Sequence, residues 1–170
     1  MVQVLDRMDT DKLLKGILNP VTLSTAFIFL LNNITVQALA FFAPTIVATI
    51  YPHNSVIYQQ LRTVPPYVVG GFFTVLFPFL SWRFDRRLVF FIASAPLTMA
   101  GYIMFLATNE HQAHIRYGAT FLITAGAFSF GALCNAQVSA NVVTDTARAS
   151  AIGTNVMWGN IGGLISTWAL

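Results

Sequence analysis

The chain has 170 residues, of which 56% are hydrophobic and only 9% are charged. A soluble domain has roughly a quarter charged residues, so this composition excludes an ordinary soluble protein and favours an integral membrane protein. The net charge of +3 gives no reason to expect a nucleic-acid partner. The single cysteine, Cys134, excludes a disulfide within the chain.

The N-terminal segment mixes acidic and basic side chains and lacks the pattern of a secretory signal, a basic stretch followed by a short apolar core. The first apolar run is longer than such a core, so we expect it to remain in the mature protein. We interpret residues 1–19 as a cytoplasmic tail and residues 20–170 as a transmembrane helical domain.

The charged residues delimit the predicted crossings, because a helix needs about twenty mainly apolar residues to span the hydrocarbon core. The long intervals without Asp, Glu, Lys or Arg each hold one such helix. The predicted fold is therefore an all-α membrane protein with about five transmembrane helices. The predicted spans lie near residues 21–49, 63–82, 88–108, 117–143 and 149–170.

The distribution of basic residues predicts the orientation. The tail, the loop at residues 83–87 and the turn at Arg148 share one side and hold seven of the nine Lys and Arg residues. Because cytoplasmic loops are enriched in basic residues, we place the N-terminus in the cytoplasm. The basic loop at residues 83–87 could alternatively be an ordinary flank of a membrane segment, with no role beyond orientation.

Amide side chains are concentrated on the first and fourth spans. Asn33 and Gln37 are four residues apart, as are Gln137 and Asn141, so each pair shares one helix face. Amides are costly in lipid unless they meet partners or a wet cavity, so the two pairs favour a solute path, to which we also assign Asn135. The structural alternative is that these amides hydrogen-bond between helices.

The span interiors contain no Asp, Glu, Lys, Arg or His, which argues against an intramembrane enzyme and predicts no cofactor and no metal site. His111 and His114, beside Glu110, have no further ligands nearby in the sequence and are interpreted as a solvated turn. If transport is proton-driven, the coupling group lies elsewhere or at a membrane edge, such as Asp85 or Asp145.

Glycines and prolines predict packing and bending. Gly159, Gly162 and Gly163 lie in a glycine-rich stretch of the last span, which allows a neighbouring helix to approach closely. Pro78 and Pro96 lie inside the second and third spans and are expected to bend or loosen them.

Several segments are similar to one family. Residues 42–47 (Phe-Ala-Pro-Thr-Ile-Val) and 60–69 (Gln-Leu-Arg-Thr-Val-Pro-Pro-Tyr-Val-Val) resemble helices 7 and 8 of major facilitator permeases. The loop at residues 81–87 resembles the one after helix 8, and residues 141–148 and 159–166 resemble the region from the helix 10–11 junction into helix 11. The branch resembled is the fungal anion:cation symporters, which include allantoate, nicotinate and pantothenate permeases.

The resemblance implies a partial C-terminal six-helix half of a major facilitator transporter, with the five spans as helices 7–11 and the tail as a remnant of the central loop. Helix 12 and an N-terminal half would be missing partners. It also implies a small organic anion or vitamin-like solute, symport by alternating access and a plasma-membrane location. Two positions depart from the pattern, since Trp82 stands where the loop has Asp and Gln137 where many members have Trp.

We expect Arg83, Asp85, Arg86 and Arg87 to form a cytoplasmic gate or to hold the helix 8–9 turn against its neighbours. The alternative to transport is an inactive or structural membrane fragment. A small oligomeric channel would need one strongly polar helix face, whereas these amides are divided between two helices.

Overall fold

A computed structural model describes residues 10–108 and 112–169. These residues form seven α-helices and no β-strand. In chain order the helices are α1 Thr10–Ile17, α2 Pro20–Ile50, α3 Val56–Leu61, α4 Val64–Phe84, α5 Arg87–Ala107, α6 Ala113–Ala140 and α7 Asp145–Ala169. Helices suit this composition because lipid offers no partner to an exposed backbone group, and a helix satisfies its backbone internally.

Four segments of the described chain are long and apolar enough to cross a membrane. They are Pro20–Ile50, Val56–Phe84, Arg87–Ala107 and Ala113–Ala140. These segments correspond to the first four predicted spans and confirm an all-α, multi-pass membrane protein. Helix α7 lies at the fifth predicted span and has 25 residues, or roughly 37 Å of helix. It is more polar than the other four, so its crossing stays a prediction.

Two short helices were not predicted from the sequence. Helix α3 begins after Ser55, whose hydroxyl accepts a hydrogen bond from the Tyr58 backbone N–H at 3.4 Å. Helix α1 lies within the predicted tail and packs on α7, where the Ser150 hydroxyl donates a hydrogen bond to the Leu13 carbonyl at 3.3 Å. Gly16 is buried beside Ser150. The described part of the tail is thus a packed helix, while its origin as a central-loop remnant stays a prediction.

The chain divides into two compact units. The first contains the described residues up to Ile34 together with Cys134–Ala169, and the second contains Thr35–Leu133. The core of the first unit includes Val138, Val142, Ala147 and Ala151, from the end of α6, the turn after it and the start of α7.

The second unit is built around the first three-quarters of α6. The apolar segment of this helix is 56% buried, whereas that of α5 is only 11% buried. Small residues allow the close contacts, because a Cβ on Gly101 would lie 3.1 Å from the Ala119 carbonyl oxygen and one on Gly70 would lie 3.2 Å from that of Thr124. Across the α4–α6 contact, the Thr124 hydroxyl donates a hydrogen bond to the Pro66 carbonyl at 2.9 Å.

Candidate functional site

The amides of α2 lie at the middle of the longest helix. Asn33 and Gln37 flank residue 35, the midpoint of Pro20–Ile50, and both are half-buried. Neither side chain makes a hydrogen bond within the described residues. Asn33 lies against α7, because a Cβ on Gly159 would be 2.8 Å from Asn33 Nδ2. A half-buried amide without a partner in a membrane helix has hydrogen-bonding capacity left for water or solute.

Asn135 has a partner on the neighbouring helix. Its Oδ1 accepts a hydrogen bond of 2.7 Å from Nδ2 of Asn155, which is completely buried on α7. Asn155 Oδ1 is also buried and has no hydrogen-bond partner within the described residues. A direct amide pair between two packed helices of a membrane protein stabilises their association. This contact favours the structural alternative for Asn135.

The other two α6 amides lie near the end of the helix. Gln137 is three residues from the last helical residue, Ala140, and thus roughly 16 Å from the midpoint of α6 along its axis. Asn141 lies just after the helix and is exposed, whereas the predicted span continued to residue 143. Its Nδ2 donates to the Gln137 carbonyl at 2.7 Å. Because the last helical carbonyls lack intrahelical partners, this bond is a C-terminal cap.

The turn from α6 to α7 is held by Arg148. Its Nε donates a hydrogen bond to the Ser139 carbonyl at 3.1 Å, and Nη2 donates to the Val142 carbonyl at 3.4 Å. Nη1 lies 3.7 Å from the exposed carboxylate of Asp145. An arginine that hydrogen-bonds carbonyls at a helix C-terminus also complements the helix dipole. Arg148 therefore ties the end of α6 to the first turn of α7.

The predicted cytoplasmic loop is a tight turn between α4 and α5. Arg83, Asp85, Arg86 and Arg87 are all exposed. Asp85 ends α4 in the left-handed conformation, with φ 50° and ψ 33°. Aspartate tolerates this conformation better than most residues other than glycine, and the reversal lets α5 begin two residues later. The three arginines thus project around one turn, and their gating role stays a prediction.

The glycines of α7 lie at a close helix contact in the first unit. Gly159 and Gly162 are buried, and Gly163 is half-buried. A Cβ on Gly162 would overlap the Leu30 carbonyl oxygen of α2 and lie 3.2 Å from its carbonyl carbon. A Cβ on Gly159 would instead meet the Phe29 ring. Both contacts lie where the sequence predicts packing, and the energetic role of the glycines stays a prediction.

The sequence did not single out a cavity in the second unit. It has a volume of about 440 Å³ and is lined by α2, α5 and α6. None of the five predicted amides lines it; its walls are Ala38, Leu39, Phe42, Thr45, Ile46, Thr49, Tyr102, Phe105, Arg116 and Ile123. Arg116 is the cation in this otherwise largely apolar lining. The signal available in the sequence was an arginine shortly after the predicted loop, at the edge of an apolar span.

A second arginine lies among aromatic rings between α3 and α4. Arg62 donates hydrogen bonds from Nε and Nη2 to the Tyr58 hydroxyl, at 3.1 and 2.6 Å, and its guanidinium lies 5.6 Å from the Tyr51 ring centroid. The Tyr117 hydroxyl donates to the Arg62 carbonyl at 2.8 Å. These contacts link α3 and α4 to the first turns of α6.

The described residues contain no group of His, Cys, Asp and Glu able to hold a metal ion. His111 and Glu110, which the sequence interpretation placed in a solvated turn with His114, lie outside the described residues. His114 is exposed in the first turn of α6.

Comparison with known proteins finds similarity to fungal transporters. The chain is 26% identical over 134 residues to the MFS-type transporter cnsO of Penicillium expansum, covering 78% of this chain and 26% of the relative. It is 30% identical over 135 residues to an uncharacterized transporter of Schizosaccharomyces pombe, covering 79% of this chain and 27% of the relative. It is 31% identical over 126 residues to the major facilitator-type transporter hxnP of Emericella nidulans, covering 74% and 25% respectively.

The aligned region spans about a quarter of the length of these relatives. No family model and no solved structure matches the chain. The named relatives support the major facilitator superfamily and membrane transport in general. They do not identify the branch, so the similarity to anion:cation symporters stays a prediction.

Proposed function

We propose that this chain forms part of a carrier that moves a small organic anion or a vitamin-like solute across the plasma membrane by alternating access. The observation that carries the proposal is the similarity to named transporters over 78% and 79% of the chain. Helices of suitable length and composition support it. The same relatives favour transport over an enzymatic activity.

Within this proposal, Asn33 and Gln37 are the principal solute contacts. Transporter sites lie near the bilayer midplane, and these two amides lie at the midpoint of a helix long enough to cross the bilayer. Each amide offers one acceptor and two donor hydrogens, which suits a solute that carries carboxylate or amide groups. Gln137 is a further contact closer to the end of α6, whereas the bonds of Asn135 and Asn141 favour structural roles.

The loop at residues 83–87 contributes to the cytoplasmic side of the carrier. Arg83, Arg86 and Arg87 are exposed around a reversed turn, so they are available to a carboxylate on another part of the transporter. Exposed ion pairs stabilise a protein only weakly, so such pairs can favour one conformation of the carrier and still break when the carrier changes to another.

Uptake by the complete protein tests this proposal. The protein should be reconstituted in liposomes and screened against labelled small organic acids, with and without a proton gradient. We expect Gln37→Ala and Asn33→Ala to raise KM or lower kcat/KM by about tenfold, the loss of one to two solute hydrogen bonds.

Asn160→Ala is the matched control, because Asn160 is an exposed amide on a different helix, α7. It should leave the kinetics unchanged. Unaltered kinetics in both α2 variants would remove these amides from the solute path, and the absence of uptake for every acid in the screen would count against the proposed substrate class.

A further inference from the structure

The cavity around Arg116 combines an elongated apolar wall with one cationic end. Along α2 its lining runs from Ala38 to Thr49, which corresponds to roughly 17 Å of helix. Arg116 lies in the first turn of α6, and Thr49 lies one residue before the end of α2. The positive charge is therefore placed at the helix ends, while the rest of the cavity extends toward the apolar interior.

Among the described residues, the guanidinium of Arg116 finds only part of the hydrogen bonding that it can make. Its Cζ lies 4.5 Å from the centroid of the Phe105 ring, a cation–π contact. Its Nε is buried and has no hydrogen-bond partner within the described residues. A buried N–H without an acceptor costs free energy, and the cost is larger for a charged group. An oxyanion brought to the guanidinium would supply acceptors and balance its charge.

The remaining walls fit an apolar body better than a polar one. Leu39, Phe42, Ile46 and Ile123 contribute hydrocarbon surface. The Tyr102 hydroxyl donates to the Thr35 carbonyl at 3.3 Å, so its proton is already committed within the protein. A volume of about 440 Å³ lies within the range of small-molecule sites.

We propose that this cavity binds an amphiphilic anion, with its carboxylate or phosphate on Arg116 and its apolar part between α2, α5 and α6. Two sources could supply this chemistry, an anionic lipid of the surrounding bilayer or an apolar organic acid from water. The site is separate from the amides of α2, and binding to it does not require transport.

Photolabelling of the purified chain in phosphatidylcholine nanodiscs tests the proposal. The probe is a diazirine-bearing long-chain fatty acid, and its uncharged methyl ester is the matched control. We expect the acid to label peptides that contain Phe42 or Phe105, at least about tenfold more than the ester does. Arg116→Gln should lower labelling by the acid about tenfold, the loss expected for a charge-assisted hydrogen bond, and Arg116→Lys should retain most of it.

A second variant leaves the charge in place. Ala38→Leu adds volume to the wall of the cavity and should lower labelling while the helical circular dichroism stays unchanged. Protection by phosphatidic acid assigns the site to a bilayer lipid, and protection by the water-soluble benzoate assigns it to an organic acid; either result supports the proposal. Equal labelling by acid and ester, or undiminished labelling of Arg116→Gln, would overturn it. Labelling without uptake in the transport screen would leave this site intact and count only against the proposed transport.

Discussion

The close contact between α2 and α7 gives a prediction for substitution of Gly162 by alanine. The added Cβ would overlap the carbonyl oxygen of Leu30 and lie 3.2 and 3.3 Å from its carbonyl carbon and Cα. These are backbone atoms, which cannot rotate away as a side chain can. Either the helices separate or the backbone shifts, and overpacking of this kind costs about 1 to 3 kcal/mol.

Gly153→Ala on the same helix is the matched control. A Cβ at Gly153 would meet no atom within 4 Å. Both variants gain the same helix propensity, about 1 kcal/mol, so the difference in stability between them isolates the packing cost. We therefore expect Gly162→Ala to be about 1 to 3 kcal/mol less stable than Gly153→Ala.

The assay is reversible unfolding of the purified chain in mixed micelles of a mild detergent and sodium dodecyl sulfate, followed by circular dichroism. Gly159→Ala should be intermediate, because its new Cβ would meet the Phe29 ring and the Asn33 amide, which can move. If Gly162→Ala is as stable as Gly153→Ala, the close approach of the two backbones does not contribute to stability and the packing argument is wrong.

Three further predictions concern the helix ends and the buried amide pair. Asn155→Ala should lower the free energy of unfolding by about 1 to 2 kcal/mol in the same assay. In a double-mutant cycle with Asn135→Ala, the two losses should not add, because both substitutions remove the same hydrogen bond. Asp85→Gly should leave thermal stability unchanged or slightly raised, whereas Asp85→Val should cost about 1 to 2 kcal/mol because a β-branched residue is strained at φ 50°; equal melting temperatures would refute this. Arg148→Gln should speed hydrogen exchange at the end of α6 several-fold while Arg148→Lys has a smaller effect, and identical exchange in the two variants would remove the proposed capping role.

The spans were predictable because the bilayer imposes a length and a composition that the sequence displays directly. The interval between Lys15 and Arg62 predicted a helix at 21–49, and the structure has one at Pro20–Ile50. Helix α7 follows the same rule less clearly, since Asn155, Asn160 and several hydroxyl residues lower its apolarity. The short helices α1 and α3 fall in polar segments, where the pattern of charges carries no such constraint.

Side-chain partnerships were less predictable than helices. A spacing of four residues places Gln137 and Asn141 on one face only while the helix continues, and α6 ends at Ala140. The bond from Asn141 to the Gln137 carbonyl follows from that ending. Similarly, the sequence marks Asn135 and Asn155 as polar, but only the packing of α6 against α7 determines that they meet.

The Arg116 cavity was missed for a related reason. In the sequence Arg116 is one charge near a loop. It entered the argument only as one of the two basic residues that are not on the predicted cytoplasmic side. Its environment comes from residues on three helices, among them Phe42 on α2 and Phe105 on α5. No local pattern predicts such a combination, because it depends on how the helices of the second unit pack.

The central claim, a wet solute path along the middle of α2, is tested most directly by cysteine accessibility. Cys134 is the single cysteine of these 170 residues and is fully buried, so Cys134→Ala makes the chain thiol-free. If the chain is assayed within a longer carrier, every cysteine outside these residues is replaced as well. We predict that Gln37→Cys in that background reacts with a water-borne, membrane-impermeant thiol reagent and that a transported solute slows the reaction. Phe27→Cys, at an exposed apolar position of the same helix, should stay unreactive. An inert Gln37→Cys, or one labelled at the same rate with and without solute, would contradict the account.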